Sequence, residues 1–512
     1  MADLHADGDT SGDNRRNEPT ADRTAETGAN LAAYLHRDET APAIVTGRTT
    51  ITHAELAERV SRWRGGLVAA GVRAGDRVAL VGGNSIDFVV AHLAALGIGA
   101  VSAPLNPQTP TAELARELAV IDPFAAIGAP DTHEHLTAGA ALTPQTAMQI
   151  LTAEELDGGE PSPMVHVTPD QPAVLLFTSG TAGPSKPAIL THGNLLSALQ
   201  AMLSLPLDLV GGAHTFLGVI PLFQVFGLNT VLHLSLVSGG RLLLSEFDGP
   251  GRTLSLIRTE EATVVAGPPT LWRALVGHPE AGSDDLRSVR LAVSGAAKLP
   301  TALKSETEAR FGIELDEGYG LTESSAVVAS TLTTDAPLGS IGRLLPGVSA
   351  RIVDPLGADC PIGDPGELLV RGPMVFPGYW GGAVGVDPFT EDGWLRTGDI
   401  ALVDEDGYLA IVDRSKDLII VSGFNVFPAE VEGVIAAHPD VADVGVVGEP
   451  SERTGEAVAA FVVPRGDVTL TEDELRRHCE AELARYKVPS RFVIAPDLPI
   501  GPTGKLQRIR LR

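Results

Sequence analysis

The chain has 512 residues, of which 44% are hydrophobic and 20% charged, and its 65 acidic residues outnumber 38 Lys and Arg to leave a net charge of −27. This balance predicts a soluble globular protein of two or three domains and excludes broad nucleic-acid binding, because affinity for a phosphate backbone needs a basic surface. Two cysteines, Cys360 and Cys479, cannot build a disulfide framework, and neither has metal-type spacing around it, which fits a reduced, cytoplasmic setting.

Residues 1–28 carry seven acids and three arginines among Thr, Ala, Gly and Asp. They read as a disordered tail, and without an apolar central region they are not a signal peptide. Leu56, Val60, Trp63 and Leu67 then recur at helical spacing before a short apolar run, Val78 to Val81. A second helix, Ser85 to Leu96, precedes a strand-like stretch from Ala100 to Ala103. The alternation continues through Val174–Phe177, Asn194–Leu203, Thr215–Ile220, Leu242–Leu244, Thr263–Ala266 and Arg290–Val293. Such βαβ repetition predicts an α/β architecture of stacked, mainly parallel sheets covered by helices. The apolar stretch Phe216 to Leu244 is interrupted by Pro221, Gln224, Asn229 and His233, so it predicts buried strand, loop and helix rather than a membrane span.

From about Gly339 the apolar runs shorten and Gly, Pro and Asp punctuate them, which predicts a small antiparallel subdomain that includes Gly366 to Arg371. Asp404 to Tyr408 reads as a hairpin turn, and the charged stretch Asp413 to Asp417 as a domain boundary. We therefore expect an N-terminal domain over 29–412 and an α+β lid over 413–512. In that lid Thr471 and Glu474 form a capping box for a helix through Arg485, and Cys479 lies on its apolar stripe.

Phe177 to Lys186 reads Phe-Thr-Ser-Gly-Thr-Ala-Gly-Pro-Ser-Lys, a loop built to hold phosphates. Gly180 and Gly183 let backbone N–H groups approach oxyanions, Thr178, Ser179 and Thr181 offer hydroxyls, and Lys186 supplies a counter-charge. Lys186 follows Ser185 and precedes Pro187, so the spacing is not that of a Walker A loop. The loop resembles the signature of the adenylate-forming superfamily, which includes acyl-CoA synthetases, peptide-synthetase adenylation domains and luciferases, although Ala182, Pro184 and Pro187 depart from it. A solvated Ser/Gly linker is the plain alternative for the loop alone.

Further motifs appear in the family's order and extend the resemblance over nearly the whole chain after the tail. Ser294 to Ala297, with Gly295, Ala296 and Ala297, resembles the stretch that packs on adenine. Glu317-Gly318-Tyr319-Gly320-Leu-Thr322-Glu323 resembles the motif whose Tyr covers the base and whose Glu holds Mg²⁺. An aromatic plane between glycines suits stacking, and a carboxylate near polyphosphate suits a hard cation. Alone, Tyr319 would read as a core tyrosine and Glu323 as a helix-start acid.

Trp394 to Asp399 matches the motif whose Asp accepts from the ribose hydroxyls, a natural task for an acceptor-only group, and Arg414 matches its partner. The resemblance further implies a hinge at Lys416, CoA contacts at Ser422, Gly423 and Phe424, metal contacts at Thr181 and Glu323, and a catalytic Lys505 in Leu-Pro-x-x-x-x-Gly-Lys. A cation such as Lys505 acts most where charge develops on transferring oxygens.

Pro221 to Gly227 falls at the acyl pocket, which would include Phe223, Gln224, Gly295 and Gly320. Gln224 replaces the family's His, and Ile420 stands where plant coumarate ligases carry a Lys. The resemblance implies ATP-dependent acid–CoA ligation with Mg²⁺, most simply on a fatty acid. A carrier-protein acyl-AMP ligase, an aryl or dicarboxylic acid–CoA ligase and a nucleotide-binding homologue with impaired catalysis stay open. The implied partners are a small carboxylic acid, ATP and CoA, without nucleic acid or an integral membrane segment, and a homodimer is allowed.

Overall fold

The computed structural model describes residues 4–5, 28–35, 40–143, 148–178, 186–209, 214–381, 387–414, 417–422, 424–451, 453–466, 468–501 and 506–511. Strands gather into four sheets. In the six-stranded sheet the order is Gln149–Leu151, Ala125–Gly128, Arg77–Val81, Val101–Leu105, Pro172–Thr178 and Lys186–Thr191. All neighbours are parallel except the last pair, a hairpin around the phosphate loop.

The nine-stranded sheet is parallel from Asp316–Tyr319 through Leu291–Ser294, Val264–Gly267, Thr215–Gly218 and Arg241–Leu244 to Pro42–Thr46, and antiparallel at both ends. These strands are continuous apolar runs because helices cover both faces of a parallel sheet. Between the two sheets lie the Ile86–Gly97 and His192–Leu203 helices, each capped at its N-terminus by a hydroxyl, Ser85 or Thr191. Trp63 and Leu67 are fully buried, as their spacing predicts. The stretch 216–244 folds as strand, helix and strand, with Phe226–His233 wound as a π-helix. Among the described residues, no helix is long and apolar enough to cross a membrane.

Asparagines tie the layers together. Asn84, in the loop after Arg77–Val81, donates to the carbonyls of Gly218, Ile220 and Ser245 and accepts from the Leu222 N–H, so it fastens one large sheet to the chain entering Phe223 and Gln224. Asn194 donates to Pro373 and Val375.

The antiparallel subdomain contains Ser349–Val353, Gly366–Arg371, Leu395–Val403 and Leu409–Arg414. Its last strand runs to Arg414, past the 412/413 boundary suggested by the charge run. The C-terminal segment has a separate core of Val426, Val431, Ile435, Val446, Ala460, Val462, Cys479 and others. Its capping box at Thr471 and Glu474 forms as expected. The helix stops at Glu482 rather than Arg485, because Leu483 turns extended and buries its side chain in that core.

Candidate active site

The hairpin strands Pro172–Thr178 and Lys186–Thr191 bring Thr178 opposite Lys186, and the Thr178 hydroxyl donates to the Lys186 carbonyl at 3.3 Å. Ser179, Gly180, Thr181, Ala182 and Gly183, between them, lie outside the described residues. Lys186 Nζ sits 5.6 Å from the ring centre of Tyr379, whose hydroxyl donates to Glu323 Oε1 at 2.7 Å. Burial first, and the Glu323 charge second, push the Tyr379 phenol well up, so it remains a donor. Tyr379 reaches this place because Ala188 bridges it and Pro187 accepts from the Trp380 N–H. Lys186, Tyr379 and Glu323 thus form one charged group at the start of the Lys186–Thr191 strand. Sequence reasoning missed Tyr379, although the Gly378-Tyr379-Trp380 aromatic pair was a signal.

Glu323 stands on a single 3-10 turn with Thr322 and Ser324. Ser325 and Ala326 follow with φ of 55° and 89°, and a side chain at Gly320 would place its Cβ 1.8 Å from the Ala326 carbonyl oxygen. Only glycine permits that closure. Glu323 offers the oxygen donor a hard cation needs, and among the described residues no three His, Cys, Asp or Glu side chains gather around a metal position. A cation here would share Glu323 with phosphate oxygens.

A second cluster holds Tyr319, Asp399 and Arg414. The Tyr319 hydroxyl donates to Asp399 Oδ2 at 2.6 Å, Arg414 Nε meets Oδ1 at 3.0 Å, and Asp399 is 2% exposed. Asp399 and Arg414 face each other in the register of neighbouring strands. Burial, then the Asp399 charge, push the Tyr319 phenol far up. Each Asp399 oxygen keeps a further lone pair for a diol.

Gly295 continues Leu291–Ser294, and a Cβ there would lie 3.2 Å from Phe226 Cζ, so the Phe226 ring covers it; Ala296 follows at φ 66°. Glu317 accepts from the Leu299 N–H at 2.9 Å, and burial raises its carboxyl to about 7 against the pull of that bond and of Lys298 and Lys304. Its hydrogen bond braces the 295–299 segment from behind. Gly318 keeps the strand beside Ser294 open. Phe223 is partly buried, while the Gln224 amide nitrogen is buried without a hydrogen-bond partner.

In the C-terminal segment Ser422 is exposed with φ 50°, and Phe424, 56% exposed, stacks on Tyr486 at 4.7 Å. Lys416, Gly423 and Lys505 lie outside the described residues. An ionic cluster joins Arg508, Glu432 and Asp417 in this segment. Arg508 Nη2 meets both Glu432 oxygens at 2.7 and 2.9 Å and Arg508 Nη1 lies 3.6 Å from Asp417, while Asp413 accepts the Ala429 N–H at 2.7 Å. Asp413 belongs to the antiparallel subdomain and Ala429 to the lid helix Pro428–Ala436, so that bond crosses the junction.

Comparisons with known proteins give the family. Residues 31–380 match the family model of the AMP-binding enzyme, and 430–505 match that of the AMP-binding enzyme C-terminal domain. The chain is 37% identical over 475 residues to a feruloyl-CoA synthase from an Amycolatopsis species, covering 92% of this chain and 95% of that enzyme. It is 35% identical over 524 residues to a long-chain-fatty-acid–CoA ligase of Yersinia pestis, covering 94% and 92%. The crystal structure of ATP-bound MatB from Rhodopseudomonas palustris superposes with a TM-score of 0.89 at 33% identity, covering 94% of this chain and 98% of that one. The chain belongs to the AMP-binding enzyme family, the adenylate-forming superfamily that its motifs resemble.

Proposed function

We propose that this protein is an AMP-forming acid–CoA ligase. The observation that carries this reading is the Lys186, Tyr379 and Glu323 group together with Tyr319 and Arg414 on the buried Asp399. One group suits a polyphosphate and the other a nucleoside. A carboxylate oxygen attacks the α-phosphorus as the bond to pyrophosphate breaks, giving acyl-AMP. The CoA thiolate then attacks the acyl carbonyl, and AMP leaves.

Lys186 offsets charge on the phosphates, Asp399 and Arg414 hold the ribose, and Tyr319 lies against the base. Mg²⁺, held by Glu323 and Thr181, would neutralise polyphosphate charge. Lys505 adds a cation at the reacting oxygens during adenylation. Lid rotation about Lys416 then brings the Ser422 to Phe424 stretch to the thiol route, with residues 413–512 as the moving unit. Closure keeps water from the mixed anhydride.

The partly buried Phe223, Val225 and Phe226 form an apolar wall that suits a fatty acid. A second reading, an aryl acid, is favoured by the Phe226 ring lying against Gly295, because an aromatic face suits a planar acid. The unpartnered Gln224 nitrogen is available to an acceptor oxygen of either acid. A pyrophosphate-release screen over aliphatic acids of graded length and over aryl acids, with and without CoA, tests the proposal. Acid-dependent release followed by CoA-dependent thioester supports it; release of acyl-AMP with no CoA use would overturn the acceptor assignment.

A further inference from the structure

Behind the acyl wall runs a buried chain of polar side chains that no site motif includes. Ser102, His92, His233, Asn229 and Ser325 are all fully buried. They come from a strand, a helix, the π-helix and the turn after Glu323. The contacts are Ser102 Oγ to His92 Nδ1 at 2.8 Å, His92 Nε2 to His233 Nε2 at 2.8 Å, His233 Nδ1 to Asn229 Oδ1 at 2.9 Å, and Asn229 Nδ2 to the Ser325 carbonyl at 2.9 Å. The two rings lie end to end and nearly coplanar, 16° between planes and 5.1 Å between centres, as an in-plane N···N hydrogen bond requires.

Donor and acceptor accounting gives this chain a single direction. The Ser325 carbonyl can only accept, so Asn229 presents its amide N–H there and its oxygen to His233. His233 must then donate from Nδ1, which leaves a lone pair on Nε2. His92 must donate from Nε2, which leaves a lone pair on Nδ1 for the Ser102 hydroxyl. A second proton on His233 would set two donors face to face, and one on His92, though the Ser102 hydroxyl could accept it, would be a fully buried charge with no carboxylate partner in the chain. The two imidazoles are therefore neutral and in opposite tautomers.

The far end meets the active site. Ser325 holds a left-handed φ of 55° and Ala326 one of 89°, a conformation residues with side chains avoid, directly after Glu323. The Ser325 hydroxyl donates to the Met374 carbonyl at 2.9 Å, and the Phe376 N–H donates to the Glu323 carbonyl at 2.8 Å. At its other end the same π-helix begins with Phe226, which covers Gly295. We infer that Asn229 and His233 are positioning residues, whose one-way hydrogen-bond chain ties the π-helical acyl wall to the strained turn bearing Glu323. Acid binding and metal–nucleotide binding are then linked through one rigid strut.

This inference rests on the adenylating role of the site, and the test separates the two. In the wild-type protein, ¹⁵N imidazole spectra should show His233 protonated at Nδ1 and His92 at Nε2; matching tautomers, or a charged ring at neutral pH, overturn the chain whatever the enzyme's substrate. Asn229→Leu keeps the volume and removes both amide functions. Losing a buried pair worth about 1.4 kcal/mol is tenfold in an equilibrium. We expect the KM for the acid and the Mg²⁺ concentration needed for ATP binding, read by calorimetry, to rise together by about tenfold. A folded Asn229→Leu protein with Mg²⁺–ATP affinity unchanged overturns the inference. Absence of acid-dependent pyrophosphate exchange in the wild-type protein would instead sink the ligase reading and leave the tautomer and calorimetry results to judge the strut.

Discussion

Two buried polar networks in this molecule solve opposite problems. The Ser102–His92–His233–Asn229 chain is neutral and lies wholly inside the larger domain. The Arg508–Glu432–Asp417–Asp413 cluster is charged and sits where the lid meets that domain. Neutral hydrogen bonds between fully enclosed groups hold one geometry, because any break leaves unsatisfied donors in the core. Ion pairs at the junction hold through opposite charge, and each carboxylate depends on its counter-charge staying in place. One network is held by hydrogen-bond direction within the larger domain, the other by opposite charge between the two domains.

The largest expected effect falls on the charged side. Glu432 accepts both from Arg508 and from the Val446 N–H, and burial raises its carboxyl against the pull of Arg508. Arg508→Met leaves that carboxylate without its counter-charge, which costs about 3–5 kcal/mol when one partner of a buried pair is removed. Hydrogen exchange should show the Pro428–Ala436 helix opening while the nine-stranded sheet stays protected. Equal protection in both proteins would mean the cluster is solvated and the contrast is wrong.

Next comes the proposed chemistry of Lys505. Lys505→Ala leaves the ionic cluster in place, so lid protection should be unchanged while acyl-adenylate formation slows by roughly two to three orders of magnitude, the scale for one preorganised donor. Thioester formation from supplied acyl-AMP should persist. Equal loss in both half-reactions would remove Lys505 from adenylation.

The neutral side is tested by acid. Burial lowers the His92 pKa to about 3 and that of His192 to about 4, and His233 also falls well below its usual value. Because the folded values lie below the unfolded value near 6.5, their contribution is fully present above pH 6.5 and is lost as pH falls toward the folded pKa values. At pH 5 each of His92 and His192 contributes about 2 kcal/mol less than at neutral pH. Denaturant midpoints should drop steadily below pH 6.5 in the wild-type protein and less steeply in a His192→Gln variant. A flat profile from pH 7 to 5 would show that these rings are hydrated.

The smallest effect concerns Gln224, on the edge of the acyl wall. Gln224→His places a titratable ring where an uncharged amide stands, so the rate with saturating ATP and CoA should acquire a dependence between about pH 5 and 8, within about tenfold. Identical profiles and acid preferences for both proteins would place residue 224 outside the chemistry.

Much of the scaffold was legible before folding. Apolar runs bounded by Gly and Asp marked the parallel strands, since a strand covered on both faces has nothing but apolar neighbours, and Thr471 with Glu474 announced a helix start. The nucleotide motifs were legible for the same reason: Asp399 and Arg414 become neighbours through strand register, and Thr178 and Lys186 through a hairpin. Tyr379 was not, because it docks on Lys186–Thr191 from nearly two hundred residues away. Glu317 reads as a ligand contact in its motif, yet its side chain turns to the Leu299 N–H.

What the sequence determined by itself was therefore local: secondary structure, the order of the motifs and the family. Only tertiary structure decided the rest. The 141 residues separating His92 from His233 carry no periodic signal of their pairing, and a lone buried histidine looks like any other core residue. Direction in that chain comes from which atoms can donate and which can only accept once four side chains and the Ser325 carbonyl, from four elements, are enclosed together. Enclosure is a property of packing, and spacing along a chain does not encode it.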